Sequence, residues 1–320
     1  MTPLVSVLIP VFNAEKYIRE SVESILGQTY SNIEILVVND GSSDGSYSIL
    51  KEIKDERIIL LNQENQGVAV ALNRALNQAK GKYISRQDAD DISFPNRIEK
   101  EVVFMEENKQ VGLVGAWATV IDSQGKSKGQ LKHSVSNRKL QYDILWDSPF
   151  VSSTTMFRKD CLEKTGMFYE GNDLFEDYSM WSSISRNYEL ANIPEILIKY
   201  RELSTGLSFT TANSKTRLIN QRRKNISHHF SNFSETEIEG LAKSGFERTK
   251  INSISDLKKI YDQITKHFIT AELSSADKEN IKRDLLGRLH SFRWLTGQQK
   301  NMLYYPGRAI EKLLYPFLLK

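Results

Sequence analysis

The sequence is poor in cysteine. Cys161 stands alone, so no internal disulfide can form, and the chain suits a reducing compartment. Long apolar runs are also missing, and none approaches the roughly 18 residues that a spanning helix needs. The opening run Leu4–Ile9 is too short for a signal core, lacks a basic flank, and reads as a buried strand. These absences predict a cytoplasmic protein, neither exported nor integral to a membrane. Two phosphate-binding signatures are absent as well. Where a dinucleotide-binding chain would place Gly-x-Gly-x-x-Gly, this one reads Pro10-Val11-Phe12-Asn13, and no Walker Gly-x-x-x-x-Gly-Lys occurs. A glycine-rich basic loop, which a nucleotidyltransferase would carry there, is lacking too.

What is present is an ordinary globular composition, 40% hydrophobic and 26% charged. The net charge of +3 hides an asymmetry: residues 1–210 hold 23 Lys and Arg against 29 Asp and Glu, whereas residues 211–320 hold 20 against 11. A mildly acidic body thus carries a basic tail, which predicts two parts, 1–210 and 211–320.

Short apolar runs alternate with helix-period segments through the first part. Leu4–Ile9, Ile33–Val38, Ile58–Leu61 and Tyr83–Ser85 read as strands. Between them, Ile18, Val22, Ile25 and Leu26, then Ile49, Leu50 and Ile53, then Leu72, Ala75, Leu76 and Ala79 mark helix faces. This alternation predicts an α/β domain, a mostly parallel sheet with helices on both faces. Such sheets bind ligands at the carboxyl ends of their strands. Those ends hold Pro10–Asn13, Asn39–Asp44, Asn65–Gly67 and Gln87–Asp91.

Caps and turns account for Asn13, Asp44 and Gly67. They do not account for Asp88, Asp90 and Asp91: three acids within four residues repel one another and exceed what one helix N-terminus can use. A divalent cation, Mg²⁺ or Mn²⁺, resolves the conflict, since such ions take one or two carboxylates plus phosphate oxygens. In an extended segment Asp88 and Asp90 would face one side. Glu176-Asp177 open a further helical segment marked by Tyr178, Trp181 and Ile184.

Taken in order, Val7-Leu8-Ile9-Pro10-Val11-Phe12-Asn13-Ala14-Glu15, Ser24–Tyr30, Val37–Asp44, Asn65-Gln66-Gly67, Asp88-Ala89-Asp90-Asp91 with Pro95 and Arg97, Met156-Phe157-Arg158 and Glu176–Trp181 resemble glycosyltransferase family 2 over residues 4–205. The resemblance implies a GT-A fold and an inverting transfer from a nucleotide-diphosphate sugar, UDP by family habit, to a glycan or lipid-linked acceptor hydroxyl in cell-surface polysaccharide or glycolipid synthesis. It implies that Pro10, Val11, Phe12, Asn13, Asp40, Asn65 and Gly67 hold the nucleotide. Asp88, Ala89 and Asp90 would hold the donor, with Asp90 and Asp88 toward the metal. Asp177 would be the base, with Glu176 as the alternative. Asp91 is expected to cap the helix opened by Pro95. Relatives often carry histidine where this chain has Ser152, and Tyr-Arg-x-His where it reads Tyr200-Arg201-Glu202-Leu203. Arg201 remains as a diphosphate or acceptor contact, and Ser152 and Trp146 as acceptor-site candidates.

The tail reads as a basic helical extension, and Leu303–Leu319 mixes aromatics and leucines with Arg308 and Lys312 in a pattern suited to an anionic membrane surface. A helical cap on the catalytic part is the competing reading. The rival function is a scaffold that kept the sheet and lost catalysis. No aromatic-interleaved basic motif points to nucleic acid.

Overall fold

A computed structural model describes residues 2–165, 169, 176–203, 214–246, 249–251, 254–289 and 292–294. In chain order its first half runs β1 (Val5–Val11), α1 (Ile18–Leu26), β2 (Ile33–Asp40), α2 (Ser46–Glu52), β3 (Ile58–Gln63), α3 (Val68–Gln78), β4 (Tyr83–Arg86), β5 (Ile92–Ser93) and α4 (Arg97–Glu107). There follow β6 (Val111–Ile121), β7 (Ser127–Leu131), α5 (Asn137–Asp143), a 3-10 turn at Ser152–Thr154, β8 (Met156–Arg158), α6 (Asp160–Thr165), α7 (Glu176–Ile184) and β9 (Glu189–Arg201).

The sheet order is β3-β2-β1-β4-β8-β6-β9-β5, with β7 beside β6. The four strands expected from the sequence are parallel neighbours, β1 lying between β2 and β4 and β2 pairing β3. The first three carry runs of valine, isoleucine and leucine, and β1 and β2 are buried almost throughout, as strands covered on both faces must be. Beyond β4 the sheet is mixed: β8 is antiparallel to both β4 and β6, β5 to β9 and β7 to β6, while β6 and β9 are parallel. The expectation of a mostly parallel sheet holds for the β3–β4 half only. The short return strands β5, β7 and β8 give the second half its antiparallel pairs.

Ile18, Val22 and Ile25 of α1 pack with Val7, Ile9 and Ile35 in one core, which also takes in Ile98 and Met105 of α4. At about 25 cal/mol per Å² of apolar surface, burial of such a face, not propensity, holds these helices.

Contacts divide the chain into two compact units, Met1–Leu140 with Ser148–Ser214, and Gln141–Asp147 with Lys215–Lys320. The second therefore recruits a short piece, Gln141–Asp147, that the charge asymmetry assigned to the first part. Its described elements are α8 (Ser214–His229), α9 (Glu235–Ala242), β10 (Thr249–Ile251), α10 (Ile254–Phe268), α11 (Ser275–Leu289) and β11 (Phe292–Trp294), with β10 parallel to β11. The expected stripe Leu257, Ile260, Tyr261 and Ile264 lies in its core beside Ile281 and Leu285. Among the described residues no helix is long and apolar enough to cross a membrane. The segment Leu303–Leu319, expected at a membrane surface, lies outside the described residues.

Candidate active site

The carboxyl ends of β1, β2 and β4 present the residues that the sequence singles out. At the end of β1, Val11 is buried while Phe12 is 51% exposed. Asn13 takes a positive φ of 50° and does not cap α1. Instead its Oδ1 accepts from the Ser43 amide at 2.9 Å, and its own amide donates to Ser42 Oγ at 3.0 Å, joining the β1 loop to the β2 loop.

Asp40 ends β2 buried, and its carboxylate is occupied within the chain. Oδ1 accepts from Gln63 Nε2 at 2.7 Å and from the Gln66 amide at 2.9 Å, and Oδ2 accepts from the Gly67 amide at 2.9 Å. Asp40 thus shapes the Glu64–Gly67 loop, a role the sequence reading did not assign. Next to it, Asn39, Gly41, Ser42, Tyr47, Asn62, Gln63, Glu64 and Asn65 line an open cavity of about 640 Å³. Gly41 is required there: its φ is +72°, and a Cβ would meet the Asn65 amide at 2.5 Å.

After β4 the chain turns sharply. The Asp91 amide donates to the Asp88 carbonyl at 3.3 Å, so Asp88–Asp91 is a turn and not the extended segment expected, and strict alternation does not place Asp88 and Asp90 on one side. They are nonetheless neighbours electrostatically. Burial first, then repulsion from Asp88, push the Asp90 carboxyl up to about 6, with Arg201 and Arg86 opposing. The turn is pinned by Ser21 Oγ donating to the Asp88 carbonyl at 2.8 Å and by the Asp88 amide donating to Ser153 Oγ at 2.9 Å.

Two expectations are corrected. Asp91 is buried, and its Oδ1 accepts from the Arg201 amide at 2.7 Å, while the N-cap of α4 is Asn96, with no side-chain cap bond. Arg201 is turned inward, not toward a ligand. Its guanidinium donates to the Asp90 carbonyl at 2.9 Å and the Asp122 carbonyl at 3.1 Å, pairs with Glu20 at 3.2 Å and lies over the Tyr17 ring at 4.5 Å. The two residues strap the end of β9 to the acidic turn.

Glu176 and Asp177 open α7 and are both buried. Arg86 reaches them from β4. Its Nη1 contacts Glu176 Oε1 at 3.1 Å and Asp177 Oδ1, while its Nε contacts Asp88 Oδ1 at 2.9 Å. Ser152 Oγ donates to the other oxygen of Asp177. Burial, reinforced by Asp177, pushes the Glu176 carboxyl up to about 7, and burial raises Asp177 as well, against the pull of Arg86. Burial alone would lower Arg86, but Asp177, Asp88 and Glu176 hold it well above the ordinary arginine value. Ser152, a candidate for the acceptor, therefore sits against the candidate base.

Beneath this lies Arg97, which is fully buried. It donates to the carbonyls of Arg86 at 3.1 Å and Ser153 and to Ser85 Oγ at 2.7 Å, with Glu101 at 3.7 Å. The sequence places Arg97 in the family series without a role, and Arg86, just before the acidic cluster, reads as a salt-bridge partner for those acids, which it is for Asp88. Its position at the end of a buried strand was the available signal. Trp146, expected to offer a stacking surface, is 2% exposed in the core of the second unit, beside Tyr142 and under Arg288, 4.2 Å from its ring. A covered ring gives a sugar no face to stack on.

A half-parallel, half-mixed sheet with its acids gathered at the strand ends is the GT-A glycosyltransferase architecture. It is shared with S. aureus TarS 1-349 in complex with UDP-GlcNAc, at a TM-score of 0.60 and 16% identity over 89% of this chain and 80% of that one. The sequence profile described as Glycosyl transferase family 2 matches residues 6–166. An uncharacterized glycosyltransferase of Haemophilus influenzae is 34% identical over 297 residues, 87% of this chain and 88% of that one. The O-antigen biosynthesis glycosyltransferase WbnJ of Escherichia coli is 32% identical over 206 residues, 62% of this chain and 79% of that one. The chain belongs to glycosyltransferase family 2, and it is a glycosyltransferase.

Proposed function

We propose that this glycosyltransferase moves a sugar from UDP to a hydroxyl of a cell-surface polysaccharide or glycolipid, with inversion at the anomeric carbon. The observation that carries the reading is the reach of Arg86: one guanidinium touches the donor-side carboxylate Asp88 and the candidate base Asp177. Donor and acceptor chemistry then fall within one cleft. The UDP-GlcNAc bound to TarS and the O-antigen role in the name of WbnJ support the donor and acceptor classes.

The exposed Phe12 ring offers an apolar face to a nucleobase, and Asp40 keeps the Glu64–Gly67 loop, whose Glu64 and Asn65 line the open cavity, in shape for the nucleoside. Asp88 and Asp90 fit a Mn²⁺ or Mg²⁺ ion completed by phosphate oxygens: both offer oxygen donors from one short turn, and burial, then Asp88, disfavours the charged form of Asp90 until a cation stands beside it. When bound, such an ion offsets charge on the departing diphosphate. Asp177 takes the proton of the acceptor hydroxyl as its oxygen bonds to the anomeric carbon and the bond to the diphosphate oxygen breaks. The intact acid set stands against a scaffold that lost catalysis. A thermal-shift panel of nucleotide sugars with and without Mn²⁺, followed by product analysis on lipid-linked acceptors, tests the reading. Stabilisation by UDP-sugars and an inverted product are expected, and indifference to every nucleotide sugar would remove it.

The same reading places the protein in the cytoplasm, at the inner face of the cell membrane. Lys215, Arg217 and Lys224 are exposed along α8 in the basic part of the chain. Flotation with acidic liposomes is expected to decrease when the residues after Thr296 are removed. Unchanged flotation would leave that segment as a cap on the fold.

A further inference from the structure

Arg86 closes β4 with its side chain 6% exposed, turned into the protein between two segments far apart in sequence. It meets three carboxylates: Asp88 through Nε, and Glu176 and Asp177 through Nη1. A guanidinium is planar, rigid and always charged. A three-way contact therefore sets direction as well as charge. Glu176 and Asp177 are successive residues at the start of α7, and two buried carboxylates side by side repel each other unless a cation lies between them. Glu176 Oε2 has no hydrogen-bond partner, so on that side Arg86 is the restraint. Both oxygens of Asp177 have assigned partners, Oδ1 with Arg86 and Oδ2 with Ser152, which leaves its carboxylate plane one orientation. A fold-stabilising ion pair would need one acid, not a pair plus a third from the donor side.

We infer that Arg86 is a positioning residue for the transfer, holding Asp177 in the orientation that accepts the acceptor's proton and fixing the spacing between the base and the donor-side Asp88. The inference rests on Asp177 being the base. Without Arg86, repulsion from Glu176 swings Asp177 off line, and the acceptor hydroxyl meets a carboxylate pointing elsewhere. Donor binding is less affected than turnover: the hydrogen bonds of Asn13 and Asp40 run to Ser42, Ser43, Gln63, Gln66 and Gly67, and Asp88, which loses its contact with Arg86, is still held through its backbone by Ser21 Oγ and Ser153 Oγ.

The test compares turnover and donor KM in Arg86→Met, Arg86→Lys, Glu176→Gln and the double variant Arg86→Met/Glu176→Gln, with melting temperatures to follow folding. Arg86→Met is expected to lower kcat about a thousandfold while donor KM moves less than about fivefold. Arg86→Lys keeps charge without the planar fork and is expected to recover about tenfold of that loss. Glu176→Gln alone lowers kcat about tenfold, yet the double variant is expected to exceed Arg86→Met by about tenfold, because the repelling partner is gone and the two losses do not multiply. Should Arg86→Met fail to fold, Arg86→Lys and the double variant carry the comparison. Losses that multiply, or kcat and KM falling together, would overturn the inference. Asp177→Asn in the same assay separates the levels. Normal turnover there removes Asp177 as base, whereas an inactive Asp177→Asn with multiplying losses removes only the role of Arg86.

Discussion

Asp177→Asn is expected to bind nucleotide sugar as tightly as the parent protein while turnover falls by about a hundredfold or more. The amide keeps the size of the side chain and one oxygen for Arg86 or Ser152, so the fold and the donor cleft stay in place. What it loses is the capacity to take a proton from the acceptor. The parent enzyme should also show a pH profile of fixed sign. Burial holds Glu176 protonated up to about 7 and raises Asp177 too, so the ionised pair, and turnover with it, increases as pH rises through that region. Calorimetry of donor binding beside initial rates from pH 5 to 9 checks both points. Parental turnover in Asp177→Asn would take the residue out of the mechanism.

Asp90→Asn is expected to remove metal-assisted uptake of the donor. The Asp90 carboxyl is raised to about 6 by burial and by Asp88, so in the apo protein the turn holds more negative charge than its surroundings compensate. A cation relieves that charge, and the diphosphate then binds the cation. The variant relieves the charge directly and has nothing to offer the ion. Titration of the parent with Mn²⁺ and UDP-sugar should show binding that tightens with metal. In Asp90→Asn the metal dependence should vanish, with affinity at saturating metal about tenfold or more lower. Equal, metal-insensitive binding by both proteins would refute the placement of the ion.

The strands were legible because their apolar runs are bounded by polar turns. Ile33–Val38 and Tyr83–Ser85 recur, slightly extended, as β2 and β4. The carboxyl-edge rule then pointed to Asp40 and Asp88–Asp91 without any contact information. Contact information is what corrected their roles. For Asp40, which the family resemblance assigns to the nucleotide, contacts add a second role: its partners within the chain, Gln63, Gln66 and Gly67, come from the next crossover. Alternation misplaced Asp88 and Asp90 because a turn, which has no period of two, follows β4. Trp146 sits by Asp147-Ser148-Pro149, a surface-like neighbourhood, yet helices that begin some seventy residues later cover it, with Arg222 Nε donating to its carbonyl at 2.6 Å. From sequence Arg86 reads as a salt-bridge partner of the acids that follow it and Arg97 as one member of the family series; that both are buried, and what else they touch, needs the fold.

Arg97 makes the two walls of the cleft one piece. Its head group donates to the main-chain oxygens of Arg86, at the root of the acidic turn, and of Ser153, beside the serine that bonds Asp177, the proposed base. Movement of either wall therefore drags on the other through a side chain no solvent reaches. On the proposed function, a bulkier acceptor would be accommodated by the loops outside this keystone, since relaxing one wall strains the other.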